Sequence, residues 1–461
     1  MKELKHNVEL RIVKVINLIL MTIPFAVCWY KYYLWKMATP FYAKGNWLMV
    51  ALFVIIYFSY GKIFDGFLVS INRISEMVYS QTLSAIISDG MMYTITWLLM
   101  KEIPNILPLL IVLCVQVILS TIWSWLAHTW YFKKFLPQKS AIIYDKREGM
   151  QRVINKYGMN KKFSVQFEMR ADECINNISV LKGLQTVFLS GIHSHDRNII
   201  LKYCVLNGIN VYVIPRVGDV IMSSARKMHM FHLPMLRVGR YSPNPEFLLI
   251  KRMFDIILSL AGIIISSPVM LLTSIAIKLT DRGPILYKQC RLTKDGKKFM
   301  VLKFRSMRVD AEKDGVARLS SGNKDNRVTP IGRFIRKVRI DELPQLFNIL
   351  FGDMSIVGPR PERPEIAEQY VKELPEFELR LQAKAGLTGY AQVYGQYNTT
   401  PYDKLQMDLM YIANPSIFED IKIMFATIKI LFMPESTEGI SEGATTAMLQ
   451  ETAITEEKTE K

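Results

Sequence analysis

Residues 341–361 read Asp-Glu-Leu-Pro-Gln-Leu-Phe-Asn-Ile-Leu-Phe-Gly-Asp-Met-Ser-Ile-Val-Gly-Pro-Arg-Pro. The stretch opens on two adjacent acids, Asp341 and Glu342, and closes on an arginine held between two prolines, Pro359-Arg360-Pro361. A basic run (Arg333, Arg336, Lys337, Arg339) leads into the acids. A carboxylate set in a cationic field suits attack on a polyphosphate. The cations and a metal neutralise the phosphate charge that would otherwise repel an anionic nucleophile. Taken alone, Asp-Glu before Leu-Pro is also an ordinary acidic helix start stabilised by the helix dipole. The surrounding sequence decides between these readings.

The charge around the stretch is uneven. The 461-residue chain is long enough for two or three domains, half of it is hydrophobic, and its net charge is +17. Residues 281–342 alone hold 17 Lys/Arg against 8 Asp/Glu, so the excess lies beside the acid pair and implies an anionic partner there. No zinc-finger spacing or aromatic-basic RNA motif accompanies it, so nucleic acid is not the expected partner. The five cysteines stand far apart without a CxxC pair, which indicates neither zinc nor a disulfide framework.

Upstream, long apolar runs predict four membrane spans near 12–35, 46–70, 80–100 and 103–127. Asp89-Gly90 interrupts the third, which reads as a buried helix of the bundle. Lysines and arginines flank the first span on its N-terminal side, and Lys133, Lys134 and Lys139 follow the fourth. This bias puts both ends of the unit in the cytoplasm of a multi-pass membrane protein. Such a bundle, with the module that follows it, also offers surface for a homodimer.

Residues 136–245 read as a Rossmann-like α/β module. Apolar runs at 141–144, 165–167, 186–189 and 211–214 alternate with helical stretches at 148–156 and 196–206. A dinucleotide site needs a glycine-rich turn after the first strand, but Asp145-Lys146-Arg147-Glu148-Gly149 offers one glycine. No cofactor is expected in this module.

The domain carrying the acids spans 246–433, and the Glu/Thr/Ser-rich segment 434–461 reads as a disordered tail. Ile256–Ile277 is 22 residues without a charge, yet basic residues flank it on both sides. Crossing the bilayer there would place the basic 281–342 region outside the cell. Ser266-Ser267-Pro268 sits near its centre, where proline removes a backbone donor and serine hydroxyls can serve the freed carbonyls. The segment is expected to be a re-entrant helix over 254–280, broken at Ser267-Pro268 and returning to the same face.

The ordered series KRMFDIILSLAGIIISSP, GPILYKQCRLTKDGKKFMVLKFRSM, GRFIRKVRIDELPQLFNILFGDMSIVGPRPERPE and KAGLTGYAQV resembles the bacterial sugar transferases, the monotopic polyprenyl-phosphate phosphoglycosyl transferases. The N-terminal bundle and α/β module resemble the large form of that family. The resemblance implies an α-rich α/β catalytic domain on the cytoplasmic face of the bacterial cell membrane. It implies transfer of a sugar-1-phosphate from a UDP-sugar to undecaprenyl phosphate among the membrane lipids. UMP is released with the help of Mg2+, in the first membrane step of exopolysaccharide, capsule or O-antigen synthesis. By the same resemblance Asp341 is the covalent nucleophile, Glu342 assists it, and the two acids are the metal ligands. Arg336 and Arg360, with Pro359 and Pro361, are phosphate-binding positions, and Lys303 and Arg305 form a further basic element. The sequence departs from the family at Arg-Lys-Val-Arg-Ile, which adds a cation at Arg339. A membrane-attached glycosyltransferase releasing UDP, or a non-catalytic scaffold of polysaccharide assembly, are the alternatives.

Overall fold

A computed structural model describes residues 2–37, 40–41, 44–241, 243–308, 327–395 and 399–431. The chain divides into two compact units, Met1–Ile214 and Pro215–Lys461.

The first unit begins with four long helices: α1 (Lys2–Cys28, extended by short π and 3-10 turns to Lys36), α2 (Lys44–Ile63), α3 (Ile74–Met100) and α4 (Leu107–Lys134). All four are long and apolar enough to cross a membrane. Leucines, isoleucines and tryptophans face outward, as lipid-facing side chains do, while Phe25, Trp29, Phe53, Tyr57 and Met92 fill the interior. Apolar packing alone gives little preference between helices and lipid tails, so polar bonds matter for association. Asn17 Nδ2 donates to Gln81 Oε1 at 3.0 Å, and Ser120 Oγ donates to the same atom at 2.8 Å. Tyr57 Oη donates to Asn17 Oδ1 at 3.0 Å, so one polar cluster ties all four helices together. Asp89 of α3 is buried within the bundle.

The rest of the first unit alternates strand and helix: β1 (Gln138–Tyr144), α5 (Met150–Lys156), β2 (Phe163–Arg170), α6 (Ala171–Asn176), β3 (Thr186–Ser190), α7 (Ser194–Leu206) and β4 (Asn210–Val213). The sheet is wholly parallel, in the order β2-β1-β3-β4, with Ala141 opposite Val187 and Ile142 opposite Phe188. Ile143, Val187 and Leu189 pack with Cys174, Leu181 and Cys204, while Ile142 and Phe188 join the cluster with Ile154 and Phe163. The period-2 alternation thus feeds two apolar layers, which is why the central strands are apolar throughout.

The second unit opens with α8 (Val217–Ser223) and an antiparallel hairpin, β5 (Arg226–Met230) and β6 (Leu233–Arg237). The long helix α9 (Pro245–Asp281) follows, then an antiparallel pair, β7 (Leu286–Leu292) and β8 (Lys298–Phe304). Next come α10 (Pro330–Lys337), α11 (Gln345–Phe351), β9 (Ser355–Val357) and α12 (Pro364–Glu373). The unit ends with β10 (Gly386–Thr388), parallel to β9, then α13 (Tyr390–Val393), α14 (Pro401–Ala413) and α15 (Ile417–Leu431). Its main core gathers Val357, Tyr370, Phe377, Leu405, Leu409 and Ile423, with Val217 and Val220 of α8 buried among them. The tail expected from residue 434 lies outside the described residues.

Helix α9 is the fifth segment long and apolar enough to cross a membrane. It stays helical through Ser266-Ser267-Pro268. Proline cannot donate to the carbonyl four residues back, that of Ile264, and Ser267 Oγ donates to it instead at 2.8 Å. Near one end, Arg252 donates to Ile349 O and Leu350 O at 2.7 and 2.8 Å, capping α11. Asp255 Oδ1 accepts from Ile356 N at 2.9 Å, in the middle of β9. Near the other end, Ile277 is buried against Phe304 and Ile335. Both ends of the helix are therefore fastened to the same globular fold.

Candidate active site

The acid pair sits on a short reversal of the chain. Thr329 Oγ1 accepts from Gly332 N at 2.9 Å and starts α10, an amphipathic helix whose last turn carries Arg336 and Lys337. Arg339 then takes a left-handed conformation at φ +57°, which side chains seldom adopt and which turns the chain sharply. Ile340–Glu342 form a 3-10 turn, and Pro344 leads directly into α11. The reversal holds both acids between α10 and α11.

Cations converge on this turn from three elements. Lys303 of β8 places Nζ 3.0 Å from Glu342 Oε1. Arg360, beyond β9, places Nη2 3.4 Å from the same oxygen and donates through Nη1 to Gln392 Oε1 at 3.2 Å. Arg336 donates through Nε to Ser306 Oγ at 2.7 Å, and its charge acts on Asp341. The Arg360 side chain is 44 % exposed and Glu342 16 %, so the cluster opens to solvent on the arginine side.

The two acids differ in their hold on a proton. Burial raises the Asp341 carboxyl, the charge of Glu342 raises it further, and Lys303, Arg336 and Arg360 pull it back only in part, leaving it at about 6. Burial would raise Glu342 too, but Lys303, Arg360 and Arg339 outweigh that and hold it below the usual carboxylate range. One acid is thus a permanent anion clamped by cations. The other is a carboxylate that ionises near neutrality.

The segment carrying Arg360 is pinned along its backbone. Ser355 N donates to Ala385 O at 2.8 Å, Gly358 N to Thr388 O at 2.9 Å, and Gly386 N to Pro359 O at 2.9 Å. The two chains approach so closely that a Cβ on Gly358 or Gly386 would overlap the opposite backbone. The KAGLTGYAQV segment is thereby the backrest of the Pro-Arg-Pro element, with Gln392 reaching round to the guanidinium.

The structure brings Asp341, Glu342, Lys303, Arg336 and Arg360 together. Arg305 is buried, with its guanidinium against Gly283 just after α9. Pro359 and Pro361 contribute rigid backbone and carbonyl acceptors. Sequence reasoning passed over Gln392, and also Arg291, Glu362, Arg380 and Asp408 behind the Pro-Arg-Pro backbone. Gln392, Arg291 and Glu362 each stand in one of the family-like stretches, whereas Arg380 and Asp408 lie outside them and carry no such signal.

Magnesium takes hard oxygen ligands and is commonly held by one or two carboxylates with substrate phosphates completing the shell. Two adjacent carboxylates beside phosphate-attracting cations fit that mode. Among the described residues no group of three or more His, Cys, Asp or Glu makes an all-protein metal cage.

Residues 247–434 match the sequence profile of the bacterial sugar transferases. The chain is 38% identical over 234 residues to an Aeromonas hydrophila protein named UDP-N-acetylgalactosamine-undecaprenyl-phosphate N-acetylgalactosaminephosphotransferase, covering 50% of this chain and 54% of that one. It is 42% identical over 224 residues to the UDP-glucose:undecaprenyl-phosphate glucose-1-phosphate transferase of Escherichia coli (strain K12), covering 48% of each. The alignment thus spans about half the length of these two relatives. A Caulobacter vibrioides protein of the same name as the E. coli one is 38% identical over 206 residues, 44% of this chain and 76% of the relative. With the profile lying over the acid pair and its cations, and three quarters of the Caulobacter relative aligned, the chain belongs to the bacterial sugar transferase family.

Proposed function

We propose that this protein transfers a sugar-1-phosphate from a UDP-sugar to undecaprenyl phosphate and releases UMP. The observation that carries the reading is the acid pair ringed by Lys303, Arg336 and Arg360. The names of the relatives, for glucose and N-acetylgalactosamine phosphotransferases, supply the substrate class.

In this reading Arg360 and Arg336 bind the diphosphate oxygens, a task for which the planar guanidinium suits phosphate. An oxygen of ionised Asp341 attacks the sugar-bearing phosphorus. The bond from that phosphorus to the bridging oxygen breaks, and UMP leaves with the electron pair. The aspartyl-phosphosugar that remains is then attacked by the phosphate oxygen of the polyprenyl carrier, which frees the Asp341 carboxylate. Glu342 keeps Lys303 and Arg360 in place as the phosphate arrives and departs. Mg2+, when held by Asp341 and Glu342 with the donor phosphates, supplies Lewis-acid neutralisation of the diphosphate charge.

The membrane geometry follows the same reading. Anchor points at both ends of α9 lie on one globular fold, which supports a re-entrant helix with the catalytic unit on the cytoplasmic face. The reaction would open a bacterial polysaccharide pathway by loading the lipid carrier.

The test is incubation of the purified protein and polyprenyl phosphate with a panel of UDP-sugars. UMP release with one of them is expected. UDP release would instead make the protein an ordinary glycosyltransferase.

A further inference from the structure

The mechanism uses the Arg360 guanidinium but not the side chains that hold its backbone. Arg380 lies in the 3-10 helix Pro375–Gln382 and is only 3% exposed. Its Nη2 donates to Arg360 O at 2.9 Å. The same guanidinium pairs with Asp408 of α14, with Nη2 2.6 Å and Nε 2.9 Å from Oδ2, and Nη1 lies 3.5 Å from Glu362 Oε1. Arg291 of β7 repeats the pattern one residue along. Its Nη1 donates to Pro361 O at 2.9 Å and lies 3.9 Å from Glu362 Oε2. Glu362 therefore bridges two arginines, each of which grips one carbonyl of the Pro-Arg-Pro element.

Prolines 359 and 361 have no N–H, so beside the Arg360 amide the carbonyls are the handles by which this segment can be fixed. A buried ion pair such as Arg380–Asp408 carries a desolvation cost that apolar packing of similar volume avoids. Its contribution here is geometric: a rigid planar fork joins Asp408 on α14 to the carbonyl of the phosphate-binding residue.

We propose that Arg380, anchored by Asp408 and Glu362, is a positioning residue for donor binding: it sets the Arg360 backbone so that the guanidinium meets Glu342 and Gln392 and faces the nucleotide diphosphate. This rests on the phosphoglycosyl transferase reading. Arg380→Lys keeps the charge but loses the fork, since one ammonium cannot reproduce the planar set of donors.

A double-mutant cycle on the full-length protein in lipid nanodiscs tests it, using Arg380→Lys, Arg360→Ala and the pair. The readouts are UMP release with varied UDP-sugar and UDP affinity by calorimetry. Arg380→Lys alone should lower kcat/KM for the UDP-sugar by about 10- to 100-fold, the range for losing a bond to a charged group. In the Arg360→Ala background it should change kcat/KM and UDP affinity by no more than about twofold, the near-complete non-additivity expected when one residue acts through another. The shift in thermal midpoint should be the same in both backgrounds, which separates positioning from a general loss of packing. Multiplicative losses, or an Arg380→Lys protein equal to wild type, would overturn the proposal. If Arg380→Lys does not fold, Glu362→Gln, which leaves the Arg380–Asp408 pair in place, runs the same cycle. Absence of UMP release by the wild type with every UDP-sugar would refute the reaction instead, and the cycle read on UDP affinity would still decide the positioning.

Discussion

Asp341 and Glu342 are consecutive in one 3-10 turn, yet they hold protons in opposite ways: Asp341 is raised to about 6 while Glu342 is held below the usual carboxylate range. The difference arises because Lys303 and Arg360 both end on Glu342 Oε1. Glu342 takes the cations and, in turn, imposes its negative charge on Asp341. Two acids with proton affinities driven apart are a common basis for divided roles at an active site.

The raised Asp341 leads to a stability prediction with a definite sign. Its folded-state affinity for a proton exceeds the ordinary value of 3.8, so the associated stability is full below pH 3.8 and is lost as pH rises through about 6. Asp341→Asn removes an ionised, half-buried carboxylate that costs on the order of 1–3 kcal/mol, discounted for partial exposure. In magnesium-free detergent solution, the thermal midpoint of Asp341→Asn should exceed that of wild type by a few degrees at pH 8. The gap should close near pH 4. An equal gap at both pH values would count against the assignment.

Lys303 holds Glu342 at 3.0 Å with both groups mostly shielded. Lys303→Met leaves a buried carboxylate short of one partner, a loss larger than that of an exposed pair. UMP release should fall by about 10- to 1,000-fold, scaled to removing one charge-assisted contact from the site. Lys303→Arg should recover part of it. Near-wild-type turnover of Lys303→Met would remove Lys303 from the site.

How much of this was legible in the sequence depends on how far apart the interacting residues lie. The strands at Ala141–Tyr144 and Thr186–Leu189 were readable because burial on both faces leaves an unbroken apolar run. Asp341, Glu342 and Arg360 were readable because they stand in short motifs with unusual residues. Arg380 and Asp408 were not: they lie 28 positions apart, and each alone looks like a solvated charge. Neighbouring positions of one strand end differ in their contacts: Lys303 reaches Glu342, while the Arg305 guanidinium lies beside Gly283. The burial of Val217 and Val220 against Leu405 and Leu409 is likewise a tertiary fact without a local signal.

That burial gives a truncation prediction. A chain beginning at residue 246 lacks α8 and exposes the apolar surface that Val217 and Val220 cover, whereas one beginning at Pro215 keeps it. Losing two buried valines costs about 3–6 kcal/mol. In lipid, the chain from 215 should retain measurable UMP release and should melt well above the chain from 246. Equal melting of the two would contradict the packing argument.

The topology of α9 can be checked by labelling. Glu246 lies in the first turn of α9 and Lys288 beyond its end in β7, so cysteines at the two positions bracket the apolar segment, and the re-entrant reading puts both on the cytoplasmic side. Neither should react with an impermeant maleimide added to intact cells, and both should react after lysis. External reaction at 288 with protection at 246 would show a true span. Pro268→Ala restores a donor for Ile264 O in competition with Ser267, and should straighten the helix and lower activity.

The most direct test of Asp341 as the nucleophile is mass spectrometry of the enzyme mixed with its UDP-sugar and magnesium, without polyprenyl phosphate. A hexose- or N-acetylhexosamine-phosphate adduct on the peptide containing Asp341 is expected, with UMP formed to about one equivalent of enzyme and discharge of the adduct when the lipid phosphate is added. Product formed only when both substrates are present, with no adduct on that peptide, would contradict the covalent mechanism and assign the attack to the lipid phosphate itself.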